Sequence, residues 1–235
     1  MSRPNGETRE IPRPMPAFIG LLYGFAVVLC ALYVGDRLIG SPSDTLATFV
    51  DLDLDQNLST WYASLLWFGC AFFSWEFARH THRRLRGRSW VLFLMPALFL
   101  AFSIDEVARL HEALGVALDR ILLGVDRTET WLPATGIWII VFAIPLVIAI
   151  VVLGIVVRPY LEHKRAAFTL IVVGMAMVLV GALGIEALSN LVEVGSTEGT
   201  IQVLVEEALE LVGATTVLWG CYGLVRPEPI LDTSA

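Results

Sequence analysis

Charge is scarce in this sequence. Only 17% of its 235 residues are Asp, Glu, Lys or Arg, against about 25% in soluble domains. Hydrophobic residues make up 56%, and the mean hydropathy is +0.71. That balance excludes an ordinary water-soluble domain. It predicts an all-α polytopic membrane protein whose first partner is the lipid bilayer. Cysteine is scarce too. Cys30, Cys70 and Cys221 lie inside apolar runs and read as small packing residues rather than disulfide partners. There is no phosphate loop, dinucleotide fingerprint or nucleic-acid motif, so no nucleic acid is expected as a partner.

Six apolar runs predict six transmembrane helices, at 17–35, 58–75, 90–123, 131–157, 166–190 and 200–225. They form one domain over 17–225, with tails at 1–16 and 226–235. The first run is too long for a signal-peptide core and lacks a cleavage site, so it is read as a retained helix. Gly20 and Gly24 give it a small-xxx-small face for close helix approach. In the third run Pro96 predicts a kink, and the helical pattern continues past Glu112 towards Leu123. The fourth run carries no charge and reads as a peripheral scaffold helix. Asp51, Asp53 and Asp55 alternate like a calcium loop but lack its glycine and distal glutamate.

The bases set the orientation. With the N-terminus inside, twelve of the 16 Lys and Arg fall on the cytoplasmic side, and only Arg37, Arg109, Arg120 and Arg127 do not. Both termini are therefore expected in the cytoplasm, and the chain in a bacterial inner membrane.

Against this apolar background the acids stand out. Asp105, Glu106 and Glu112 fall in or beside the third run, Glu186 in the fifth, and Glu206, Glu207 and Glu210 in the sixth. A helix rise of 1.5 Å per residue, counted from the cytoplasmic bases, puts Asp105 and Glu210 about 24–26 Å up. Arg109, Glu186, Glu206 and Glu207 then lie at about 28–32 Å. Three helices thus carry acids to one level in the outer part of the bilayer. Faces agree as well. Asp105, Arg109 and Glu112 share one stripe, Glu186, Asn190 and Glu193 a second, and Glu206 and Glu210 a third. Helices three, five and six are accordingly expected to be mutual neighbours. Taken singly, each stretch also reads as an interfacial ion ladder or a helix N-terminus. Together, seven acids face Arg109 and His111, so the surplus must hold protons, a cation or water.

Carboxylates with one histidine suit a divalent metal ion such as Mg, Ca or Mn, or a two-iron centre. The expected ligands are Asp105, Glu112, Glu186, Glu206 and Glu210, supported by Arg109, Asn190 and Glu207. His111 and Glu106 are the candidate catalytic groups. No Glu-x-x-His pair is present, and Gly115 stands where a zinc-protease motif needs its second histidine. A triad of Ser103 and His111 is ruled out by about 12 Å of helix between them. Two classes fit best: a membrane metalloprotein acting on an apolar or lipid substrate, and a proton- or cation-coupled transporter or channel. A third is an accessory subunit whose acids meet a membrane-protein partner or a second copy of the chain.

The segments Ser103-Ile104-Asp105-Glu106 with His111-Glu112, Gly181-Ala182-Leu183-Gly184-Ile185-Glu186, and Glu206-Glu207-Ala208-Leu209-Glu210 with Gly213 form a pattern. With Trp61-Tyr62-Ala63-Ser64-Leu65-Leu66, it resembles a family of uncharacterised bacterial multispan membrane proteins. The resemblance covers most of the chain after residue 58 and implies the membrane fold, without an activity. The membrane hydrolases of the ceramidase and adiponectin-receptor type carry a His-x-x-x-His zinc pair that this sequence lacks.

The orientation is directly testable. Single cysteines at Asp53, Asp126 and Glu198, in a background without the native cysteines, should react with an impermeant reagent from outside. One at Arg83 should not, and labelling there would invert the topology.

Overall fold

The computed structural model describes residues 14–54, 57–87, 89–130, 132–192 and 195–226. Arg3, Arg9, Arg13, Asp55, Arg88, Trp131 and Glu193 lie outside these residues, as do most of the two tails. The described residues are helical, without a strand. The α-helices are α1 (Ala17–Leu38), α2 (Asp44–Val50), α3 (Leu58–Arg84), α4 (Leu94–Ala108) and α5 (Leu110–Leu118). They continue with α6 (Ile144–Val157), α7 (Arg165–Leu179), the single turn α8 (Glu186–Leu188) and α9 (Thr197–Val225).

Four helical stretches are long and apolar enough to cross a membrane: Ala17–Leu38, Trp90–Ala108, Ile139–Leu191 and Thr197–Val225. The third is a run of 53 residues that contains both α6 and α7, joined by the 3-10 segment Arg158–Lys164. α3 is long, at 27 residues, but more polar, with buried Ser59, Thr60 and Ser74. Its position explains that composition. It packs on α4 along one side and on α9 along another, so its hydroxyls meet protein. Apolar side chains such as Leu21, Phe68, Ile148, Ile155 and Val172 point outward instead. An outer surface this apolar is suited to lipid.

α9 is the central helix and packs against α7, α3 and α1. Its contact with α7 is made by glycine. A Cβ on Gly174 would lie 2.6 Å from the Gly213 carbonyl oxygen, and one on Gly213 2.8 Å from the Gly174 carbonyl oxygen. A Cβ on Gly220 would lie 2.7 Å from the Ala167 carbonyl oxygen. The backbones therefore touch directly, which maximises dispersion where no hydrophobic force separates helix from lipid. The Gly20–Gly24 face has no such role. No heavy atom lies within 4 Å of a Cβ built on Gly24, and Gly20 meets only a Met15 methyl.

Several expectations are corrected. The third run does not continue as one helix past Glu112: it breaks at Arg109, which has φ 52° and ψ 42°. Pro96 starts α4 rather than kinking it. It sits in the first turn, behind a 3-10 turn at Trp90–Phe93, where its missing N–H is not needed. The fourth run becomes helical only at Ile139, because Gly136 takes φ 73° and Thr135 and Asp119 tie the preceding loop inward. α4 packs chiefly on α3, which in turn packs on α9, and α4 meets α9 at the small cavity lined by Glu106, Glu207 and Glu210. α6 is peripheral, as expected.

The glycine seam gives a stability prediction. Gly213→Leu should cost about 1–3 kcal/mol or more, because no side chain can move aside for a backbone carbonyl. Gly24→Leu should leave the melting temperature of the purified protein nearly unchanged. Equal losses at both positions would contradict the seam.

Candidate functional site

The site is built around the Arg109 break. A non-glycine residue in the left-handed region costs about 1–2 kcal/mol. Asp105 offsets this from the last turn of α4. Its Oδ1 accepts the His111 backbone N–H at 2.9 Å, and its Oδ2 lies 2.5 Å from His111 Nδ1. The carboxylate thus caps α5, taking the place of an ordinary N-cap side chain. Arg109 pairs with Glu112 across the first turn of α5. Asp105, Arg109 and Glu112 are therefore not one helical stripe: Asp105 pairs with His111 across the bend, and Arg109, at the bend, pairs with Glu112. His111 also packs against Trp138, the two rings tilted at 52° with centroids 5.0 Å apart.

The loop after α5 covers this end of the molecule. Asp119 is fully buried, accepts the Ile137 N–H at 2.9 Å and pairs with Arg127 at 3.2 Å. Asn190 is a loop clamp rather than a member of the acid stripe. Its Oδ1 accepts the Ala134 N–H at 3.0 Å, and its Nδ2 donates to Thr135 Oγ1 at 3.0 Å.

α4 is fixed to α3 by a reciprocal pair of serines. Ser64 Oγ donates to the Ser103 carbonyl at 2.8 Å, and Ser103 Oγ to the Ser64 carbonyl at 2.9 Å. Ser103 is thus structural. One turn further along α4, Glu106 Oε1 accepts the Trp67 indole N–H at 3.3 Å. Glu106, Glu207 and Glu210 line one small cavity of about 50 Å³, together with Ser59 and Thr60 from the start of α3. That is room for one or two waters. Asn57 caps this end of α3, its Oδ1 accepting the Ser59 and Thr60 N–H groups at 3.0 and 3.2 Å.

Glu186 reaches α9 through a π-helical segment, Val180–Ile185, that follows α7. Gly181 in that segment lies against α9 so closely that a Cβ would be 2.9 Å from the Glu206 carbonyl oxygen and 3.0 Å from Glu210 Cγ. Glu206 accepts from Gln202 Nε2 at 3.0 Å. Glu186 feels the charges of Glu206, His111, Glu112 and Arg127. Glu210 feels those of Glu207, Glu106, Glu206 and Glu186, all carboxylates. The acids of the third, fifth and sixth runs are thus in one electrostatic neighbourhood. Among the described residues, no group of three His, Cys, Asp or Glu is placed to hold a metal ion.

Sequence reasoning missed Trp67, Gln202 and the Asp119–Arg127 pair. Gln202 stands four residues before Glu206, on the same helical stripe, and that spacing was a usable signal. Trp67 carried only the general one, that a buried indole N–H needs an acceptor.

His111 supplies a pH prediction. Burial disfavours its imidazolium, but the hydrogen bond and charge of Asp105, with Glu186 and Glu112 behind, leave it raised above its ordinary value. A raised group stabilises the fold fully below its unfolded value, about 6.5, and loses that contribution as pH rises through the folded value. The melting temperature of the wild type should fall over that window, and His111→Gln should remove this component. A pH profile unchanged by the substitution would contradict the pair.

Neither a curated protein nor a solved structure matches the chain. A family model described as a domain of unknown function, DUF8692, matches residues 20–225. With α1 to α9 almost entirely inside that match, the chain belongs to the DUF8692 family.

Proposed function

We propose that this chain is a six-span protein of the bacterial inner membrane, both termini inside, whose outer carboxylates take up and release protons. They serve as the relay of a proton-coupled carrier. The observation that carries this reading is how the nearby bases are used. Arg109 is paired with Glu112, His111 with Asp105 and Arg127 with Asp119, whereas the charges that act most strongly on Glu210 are all carboxylates, those of Glu207, Glu106, Glu206 and Glu186. Like charges in a low-dielectric site cannot all be ionised without a compensating cation. Protons provide that compensation without requiring three ligands to converge on one point. His111, with Nδ1 held by Asp105, is the group through which outer water reaches Glu186.

On the inner side of the acids the hydroxyls are engaged in local bonds. Thr215 and Thr216 donate to the carbonyls of Leu211 and Val212 at 2.8 and 2.7 Å, and Ser74 donates to Cys70 at 2.7 Å. Tyr23 meets Thr216 at 2.7 Å. Each of these hydroxyls has its one proton engaged, so on this reading a relay inward requires them to reorient. That suits a carrier with access from one side at a time better than an open channel.

The cavity lined by Glu106, Glu207 and Glu210 favours a second reading, in which it takes a divalent cation with carboxylate and water ligands. Glu210→Gln separates the two. A neutral amide mimics a protonated acid, so the proton reading expects the variant to melt as high as the wild type or higher. It also expects the wild type to lose a protonated-carboxyl infrared band as pH rises, and the variant to lack part of that band. A metal in the purified wild type, with lower melting in the variant and in chelated wild type alike, would replace the proton reading with the metal one.

A further inference from the structure

At the opposite end from the acids, a cavity of about 750 Å³ opens between α4, α6 and α7. Its volume is within the range of small-molecule sites, about 300–1,000 Å³. Its walls are apolar along the helices, with Met95 and Phe99 from α4, Leu153 from α6 and Phe168 from α7. At the 3-10 segment joining α6 to α7 and the start of α7 the lining turns charged, with Arg158, Glu162 and Arg165 beside Leu161. Neither arginine has an ion-pair partner among the described residues. Among the lining residues, two guanidiniums and one carboxylate leave one net positive charge.

A long apolar slot ending in a singly positive mouth is complementary to an amphiphile with one negative charge beside its hydrocarbon. We propose that this groove is a binding site for an acidic phospholipid, its acyl chain lying between α6 and α7 and its phosphodiester held by Arg158 and Arg165. Guanidinium groups bind phosphate oxygens in paired, charge-assisted hydrogen bonds. Glu162 then accepts from the headgroup hydroxyls of a lipid such as phosphatidylglycerol, and its charge sets the mouth to balance a monoanion. α6 packs on the core through Ile150 and Leu153, and a lipid chain in the groove adds packing beside them. The site lies on different residues from the carboxylate cluster and does not depend on what that cluster does.

The groove also contains a position where it can be filled without strain. Gly154 lines it, and no heavy atom lies within 4 Å of a Cβ built there. The test uses the full chain in a neutral detergent with added phosphatidylglycerol, phosphatidylethanolamine or phosphatidylcholine. Phosphatidylglycerol should raise the melting temperature by about 5 °C more than either zwitterionic lipid. Arg158→Ala/Arg165→Ala should melt like the wild type without lipid and lose that extra rise. Gly154→Phe should lose it as well, by occupying the slot. Arg83→Ala/Arg84→Ala, at the end of α3 and outside the groove, should keep it. Equal shifts with all three lipids, a rise that survives in Arg158→Ala/Arg165→Ala, or loss of the rise in the Arg83/Arg84 variant would each overturn the proposal.

Discussion

Backbone contact between α7 and α9 is the constraint on which the rest depends. Gly174 and Gly213 face each other so closely that each would place a Cβ under 3 Å from the other's carbonyl oxygen. Gly220 extends the seam at one end and Gly181 at the other. Without side chains between them, the two helices have no freedom to slide, since any shift drives backbone into backbone. Gly181 fixes the upper end of the seam against Glu206 and Glu210. The position of the acids on α9 relative to the chain that carries Glu186 is therefore set by packing rather than by the acids' own interactions. Carboxylates repel one another, so only a contact of this kind can hold them together.

The other half of the site is held by polar bonds. The Ser64–Ser103 clamp pins α4 to α3, and Trp67 from α3 reaches Glu106. α3 in turn packs on α9, so it transmits the α9 frame to α4. Beyond the clamp the chain bends at Arg109, and each base near the bend is taken by one acid. The rigid side of the site thus supplies the surplus acids, and the bent side supplies neutralised pairs under a loop that Asp119 and Asn190 hold down.

Much of this was legible in the sequence. Depth along a helix follows from residue counting, so Asp105, Glu186 and Glu210 could be brought to one level from anchors alone. Neighbour relations were harder. α3 was read as an ordinary span, yet its buried serines and threonine mark a helix with two packed sides, one on α4 and one on α9. The small-xxx-small motif pointed to Gly20 and Gly24, whereas the seam glycines stand seven apart, Gly174 and Gly181 on one segment and Gly213 and Gly220 on a distant one. No local spacing rule links Gly174 to Gly213. The Arg109 break was also hidden. Glu106-Val107-Ala108-Arg109-Leu110 contains no glycine or proline, and the bend exists because Asp105 can cap the helix that follows it.

Glu186 shows why face arguments from sequence were less decisive than depth arguments. In a regular helix, successive residues turn by about 100°. Gly174 and Gly181, seven residues apart, then differ by only about 20° and both face α9. Glu186, twelve residues after Gly174, would point about 120° away from that face. The π segment Val180–Ile185 contains Gly181 near its start and ends just before Glu186. A π turn absorbs one additional residue, which removes about 100° and leaves Glu186 about 20° from the glycine face. The irregular segment is what turns this carboxylate towards Glu206. A regular continuation of α7 would have kept the seam and lost the cluster.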